Sequence, residues 1–221
     1  MHLQPVTDSL WEVVRTVNIK GALRIGHRMT VLRVGDGVVV HSPVEFEPAL
    51  ADAVAEIGAV RWIMAPNLKH DLFLQEWIAR FPEADLLAPP GMTQLHPSLP
   101  LRSLAEASLP VELELHHIAG MPQVDEYVLL HRPSRTLIIA DLFFNLHRLG
   151  DRWSRFVMWA NGAWRRPAPS RLFRLFVKDK VALRASIDRL LELDFDRIVV
   201  GHGDNIQSAG RAVLQRAYDW L

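Results

Sequence analysis

The sequence predicts one α/β domain, and three observations carry that prediction. A chain of 221 residues is long enough to bury one substantial core. β-Branched runs of strand length alternate with segments of helical periodicity, in the order hairpin, helix, strand, helix, strand. Three strand-like runs also end on side chains able to bind a metal. Val60 to Pro66 leads into Asn67-Leu68-Lys69-His70-Asp71, Thr136 to Ala140 into Asp141, and Arg197 to Gly201 into His202. At a strand end a rigid sheet meets a loop that carries chemistry, so these junctions point to a site.

Leu10 to Val14 reads as the first strand. Met29 to Val34 and Val38 to His41 form a hairpin about Gly35-Asp36-Gly37, since Gly and Asp between β-branched runs meet the needs of a tight turn. Pro48 to Ile57 places Ala49, Leu50, Ala53, Val54 and Ile57 at helical spacing, with Gly58 to end it. Val60 to Ala65 is the next strand. A short amphipathic helix through Leu74, Trp77 and Ile78 stops at Pro82, and Leu86 to Ala88 is a strand closed by Pro89-Pro90-Gly91. Residues 92–110 carry no readable period. Glu112 to His116 alternates in strand fashion, and Tyr127 to Leu130 pairs with Thr136 to Ala140 in a second hairpin. Helices are expected from Lys180 to Leu193 and from Ala209 to Trp220, with the strand Ile198 to Val200 between them.

Composition narrows the chemistry. Lys plus Arg equals Asp plus Glu at 25 each, so no overall field favours nucleic acid. Cysteine is absent, which removes disulfides and thiolate chemistry and leaves His, carboxylates and amides as the strong metal ligands. The first residues lack a basic region followed by an apolar stretch, and no apolar run is long enough to span a bilayer, so a cytoplasmic location is expected. Between Arg148 and Arg174, Trp153, Trp159 and Trp164 are interleaved with seven arginines. The preferred reading is a helix pair that packs its tryptophans onto the core. An active-site lid, a homodimer surface and a membrane-interface element rank below it.

The element order, with three of its motifs, resembles the metallo-β-lactamase-fold superfamily. That resemblance implies an αββα four-layer sandwich, two mixed β-sheets flanked by helices, as one domain over residues 1–221. The superfamily pattern HxHxDH falls on Asn67, Lys69, Asp71 and Leu72, its next histidine roughly on Met121, its bridging aspartate on Asp141 and its last histidine on His202. More narrowly, Arg28-Met29-Thr30-Val31, Val40-His41-Ser42-Pro43-Val44 and Ala65-Pro66-Asn67 with His70, Phe73, Leu74 and Trp77 are similar to an uncharacterised branch, a domain of unknown function. Asn67, Lys69 and Met121 are unsuited to the three-histidine half of a binuclear centre, because an ammonium repels a cation and a thioether is a poor ligand for Zn²⁺. Asp71, Asp141 and His202 remain, joined by His70 if the motif slides by one residue.

The resemblance therefore implies a reduced, single-metal centre of His70, Asp71, Asp141 and His202, holding one divalent ion (Zn, Fe or Mn) or none. Asp71 and Asp141 are the catalytic candidates, and Asn67, Lys69, His117 and His147 are the substrate or supporting residues. The implied activity is hydrolysis of an ester, thioester or lactone in a small molecule. The competing reading is a non-catalytic scaffold that binds a small anion or a partner, with Lys69 replacing the metal charge. A flavin-linked electron-transfer role is not expected, because that class carries a second domain. Each residue also has a plain structural role open to it: His202 in a Gly-His-Gly turn, Asp141 in a strand-end loop, and Asp71 as cap of a helix starting near Leu72.

Overall fold

The computed structural model describes residues 3–19 and 23–221. The chain gathers into two compact units, with breaks at Arg15/Thr16, His27/Arg28 and Leu113/Glu114. Strands β1 (Gln4–Thr7), β2 (Leu10–Ile19), β3 (Leu23–Val34), β4 (Gly37–His41), β5 (Ala59–Met64), β6 (Asp85–Ala88) and β7 (Leu101–Ser103) form a sheet in that order. It is mixed: β3 and β4 are antiparallel, and β4 to β7 run parallel. Val34 pairs with Gly37, which leaves Gly35-Asp36 as a two-residue turn, and Gly35 takes the left-handed φ of +54° that the turn needs.

Helices α1 (Pro48–Ile57) and α2 (Leu74–Arg80) complete the first unit's core, setting Leu50, Ala51, Val54, Leu74, Trp77 and Ile78 against Val31, Val38, Val40 and Ile63. Leu32, Val39 and Met64 are equally buried yet lie outside that cluster. A strand covered on both faces reads as a continuous apolar run, which is why β4, buried throughout, shows no alternation in sequence. Helix α2 begins two residues later than expected, after Phe73 in a left-handed conformation, and no side chain caps it. Asp71 therefore does not serve as its cap. The unreadable stretch after Pro90 contains α3 (Met92–Leu95), β7 and a single 3-10 turn at Leu104–Glu106.

The second sheet joins β8 (Leu113–His117), β9 (Tyr127–His131), β10 (Thr136–Ile139) and β11 (Arg197–Val200) in the order β11-β10-β9-β8. β9 and β10 are the expected antiparallel hairpin, whereas β10 and β11 pair in parallel. The arginine-rich segment holds α4 (Arg152–Ala160) and α5 (Arg171–Arg174), capped by Asp151 and Ser170. Helices α6 (Lys180–Glu192) and α7 (Gly210–Ala217) then cover one face of the sheet. Leu183, Ile187, Leu190, Leu214 and Tyr218 pack on Val128, Leu130, Leu137, Ile139, Ile198 and Val200. Met121 lies in this apolar core, 1% exposed.

Trp77 anchors the first unit. It is fully buried, stacks near Phe81, meets Phe46 edge-on and donates its indole N–H to the Val44 carbonyl at 2.8 Å. Replacing Trp77 with Ala should cost about 3–5 kcal/mol, since it leaves a cavity and an unpaired carbonyl. Urea unfolding of the variant beside the parent measures this directly.

Candidate metal centre

The site begins with strand register. Thr136, Leu137, Ile138 and Ile139 pair in parallel with Arg197, Ile198, Val199 and Val200, so the next two steps set Ala140 beside Gly201 and Asp141 beside His202. The close approach needs glycine on both sides of His202. A Cβ on Gly201 would lie 2.6 Å from the Ala140 carbonyl oxygen, and one on Gly203 would lie 2.1 Å from that of Asn145. Gly203 also has φ of +105°, which L side chains rarely adopt. Backbone bonds from Asn145 N–H to the His202 carbonyl and from Asp204 N–H to the Asn145 carbonyl fasten the loop. Asn145 adds an amide donation to the Asp204 carbonyl and accepts from His147 Nε2.

His202 donates from Nδ1 to the Gly26 carbonyl at 2.7 Å, because a carbonyl can only accept. Its lone-pair nitrogen is then Nε2, which lies 3.2 Å from Asp141 Oδ1. A lone pair facing a carboxylate is repulsive unless a proton or a metal ion supplies positive charge between them. Two ligands of one tetrahedral Zn²⁺, at bond lengths of about 2.0–2.1 Å, lie roughly 3.3 Å apart, so the observed spacing suits either. The His27 ring stands 5.9 Å from that of His202, and Phe144 packs on the other side at 5.5 Å. Behind Asp141, the fully buried Glu126 carboxylate accepts the backbone N–H groups of Ala140, Asp141 and Leu142. Burial, and then the charge of Asp141, push the Glu126 carboxyl up to about 8 against those three donors.

His70 is built by different means. Asn67, at the end of β5, accepts the N–H groups of Lys69 and His70 on its side-chain oxygen at 2.8 and 3.0 Å, a local turn that aims the histidine. Ser42 adopts a left-handed φ of 56°, which places its hydroxyl 2.7 Å from His70 Nδ1. That contact leaves Nε2 as the nitrogen suited to a metal. His41 is buried nearby, and its Nε2 has no hydrogen-bond partner. Burial first, and then the charge of His70, lower the His41 pKa from 6.5 to about 3.

In the second unit His27 and His202 are buried with their rings 5.9 Å apart and Asp141 on His202, and in the first unit His70 is buried with the Ser42 hydroxyl on its Nδ1. Each of the three histidines offers a ring nitrogen able to bind a metal ion. His27 was not singled out in the sequence, because it precedes both the stretch of β3 that reads as strand and the phrase Arg28-Met29-Thr30-Val31. The sequence candidates divide. Asp141 contacts His202 in the second unit, and His70 is buried in the first. Asp71 is half-buried and pairs with His96 at 2.9 Å. Asn67 supports His70 through its turn, and His147 supports the His202 loop through Asn145. Lys69 and Leu72 are exposed, and His117 pairs with Asp125 beside Tyr127.

The chain's structure matches a metallo-β-lactamase from Pontibacter korlensis over 97% of its own length and 98% of that chain, with a TM-score of 0.64 and 13% sequence identity. The chain has the metallo-β-lactamase fold. Rubredoxin oxygen:oxidoreductase of Desulfovibrio gigas matches with a TM-score of 0.72 at 13% identity, over 99% of this chain and 61% of that one. A flavoprotein from Thermotoga maritima gives 0.67 at 12%, over 97% and 60%. No protein-family model and no curated protein matches the chain. Two mixed sheets flanked by helices, as the element order implies, are what the chain shows.

Gly203→Ala should destabilise the protein by about 1–3 kcal/mol or more, from backbone strain and the clash with Asn145. Thermal denaturation tests this, and an unchanged melting temperature would contradict the tight approach. His41 gives a pH signature. Its pKa is depressed in the fold, so the unfolded chain binds one more proton between about 3 and 6.5. The associated stability is complete above 6.5 and falls as pH drops through that window, by up to about 1.4 kcal/mol per pH unit. His41→Gln should flatten the slope in urea midpoints taken from pH 7 to pH 4.

Proposed function

We propose that this chain is a metal-dependent hydrolase with a single-metal centre, acting on an ester, thioester or lactone. The supporting observation is the buried pair His27 and His202 of the second unit, with the Asp141 carboxylate against His202, and the reading adds the buried His70 of the first unit as a further ligand. Three imidazoles and one carboxylate suit Zn²⁺, Fe²⁺ or Mn²⁺, and they supply donors for one ion rather than two. When bound, such an ion polarises a carbonyl and lowers the pKa of a water molecule. The chain's own contribution is positional. The Gly26 carbonyl holds the His202 ring in the tautomer that presents Nε2, the Ser42 hydroxyl engages His70 at Nδ1 and orients that ring, and Asp141 balances the charge. The metallo-β-lactamase named among the structural neighbours favours hydrolysis, and the di-iron flavoprotein from Thermotoga maritima favours a metal at this fold's site.

A metal-free scaffold is the second reading, favoured by one contact. A second proton on His202 would make an imidazolium paired with Asp141, and no ion would be required. Elemental analysis of the purified protein separates the two. The hydrolase reading expects about one ion per chain, lost in His27→Ala and His202→Ala, with chelator-sensitive turnover of simple esters or lactones. Absence of metal after growth with added zinc, iron or manganese, in a folded protein, would leave the scaffold. Ser42→Ala should weaken metal affinity about 10- to 100-fold by freeing the His70 ring, read by competition with a chromogenic chelator.

A further inference from the structure

The second unit carries an apolar ridge that its own core does not use. Helix α4 buries Ser154 and Met158, and Met158 packs with Ile25, Leu146, Leu149 and Ala163. Its opposite side exposes Trp153 (59%), Phe156 (55%) and Trp159 (66%), whose rings follow one another at 5.9 and 6.1 Å. At helical spacing these three flank a single outward direction. Leu172 of α5 and Leu175 just after it are exposed as well, and the Arg171 N–H bonds to the Asn161 carbonyl, which ties α5 to the end of α4. The helices are firmly placed. Asp151 and Ser170 cap them, and the Arg24 N–H donates to the Ser154 hydroxyl. Packing of the tryptophans on the core holds only for Trp164, which lies against the Ile25 cluster.

Charge is the second observation. Residues 148–180 contain nine lysines and arginines and two aspartates, seven net positive charges in a chain whose total is zero. The remainder is therefore seven net negative, so the segment that carries the ridge is the positively charged part of the chain. Arg152, Arg155, Arg165, Arg166 and Arg171 are all exposed. A second copy docked face to face through this patch would set like charge against like charge, which opposes a symmetric dimer. Exposed indoles belong at the headgroup level of a bilayer, where an apolar ring meets a wet edge, and guanidinium groups reach lipid phosphates. We propose that α4 and α5 form a docking surface for an anionic lipid bilayer, with the helices lying in the interface. Among the described residues no helix is long and apolar enough to cross a membrane. Nothing in this surface depends on the metal centre.

Co-sedimentation with phosphatidylcholine vesicles, with and without phosphatidylglycerol, tests the proposal. Binding should require the anionic lipid and weaken as salt is raised. Arg152→Gln should lower vesicle affinity about fivefold, as expected for one basic charge at a membrane surface. Combined Trp153→Ala, Phe156→Ala and Trp159→Ala should lower it about tenfold or more. Because Trp159 is exposed, Trp159→Ala alone keeps the fold by circular dichroism and should still reduce binding. Failure of the parent protein to sediment with anionic vesicles overturns the proposal, as does a triple variant that binds like the parent. A parent dimer that becomes monomeric in the triple variant, with no vesicle binding, would assign the ridge to a second copy instead.

Discussion

The candidate centre depends on one close approach, that of the Gly201-His202-Gly203 backbone to the segment from Ala140 to Asn145. Contacts of 2.6 and 2.1 Å from ideal Cβ positions to carbonyl oxygens exclude any side chain there. The parallel register of β10 on β11 brings the two strand ends level, and the glycines let them meet. Asp141 and His202 are neighbours for that reason alone. A slip of either strand by one residue would send its side chain to the opposite face, away from its partner. The Glu126 carboxylate then holds the turn from Ala140 to Leu142 by three backbone N–H groups that would otherwise be buried without partners.

Much of this was legible in the sequence, for identifiable reasons. The runs ending at Asp141 and His202 have the same length, and both turn polar after an apolar stretch, so the sheet end shows as a break in pattern. The hairpin at Gly35 and the helix from Pro48 to Ile57 carry local signals, a turn dipeptide and a regular period, that no distant contact overrides. Asp71 shows the limit. Its place in the motif suggested a ligand, and the same residue has a natural role as a helix cap, but the structure gives it His96, 25 residues away. A pairing at that distance leaves no trace in local spacing.

His27 and the aromatic ridge escaped for a shared reason: burial is not a local property. His27 lies in a strand whose neighbours give no sign that it is covered, while Trp153 and Trp159 are residues whose chemistry ordinarily demands burial. The periodicity of α4 is clear, yet which side of the helix faces inward follows from Ser154 and Met158, a small polar residue and a flexible one. A reading by hydrophobicity alone places the helix the wrong way round.

The bond from His202 to the Gly26 carbonyl spans 176 positions, and the pairing of Thr136 with Arg197 spans 61. Both close large loops, whose entropy must be met before any contact rewards it. The Gly26 carbonyl is therefore made long before its partner: during synthesis it waits for 176 further residues before the ring of His202 exists to donate to it.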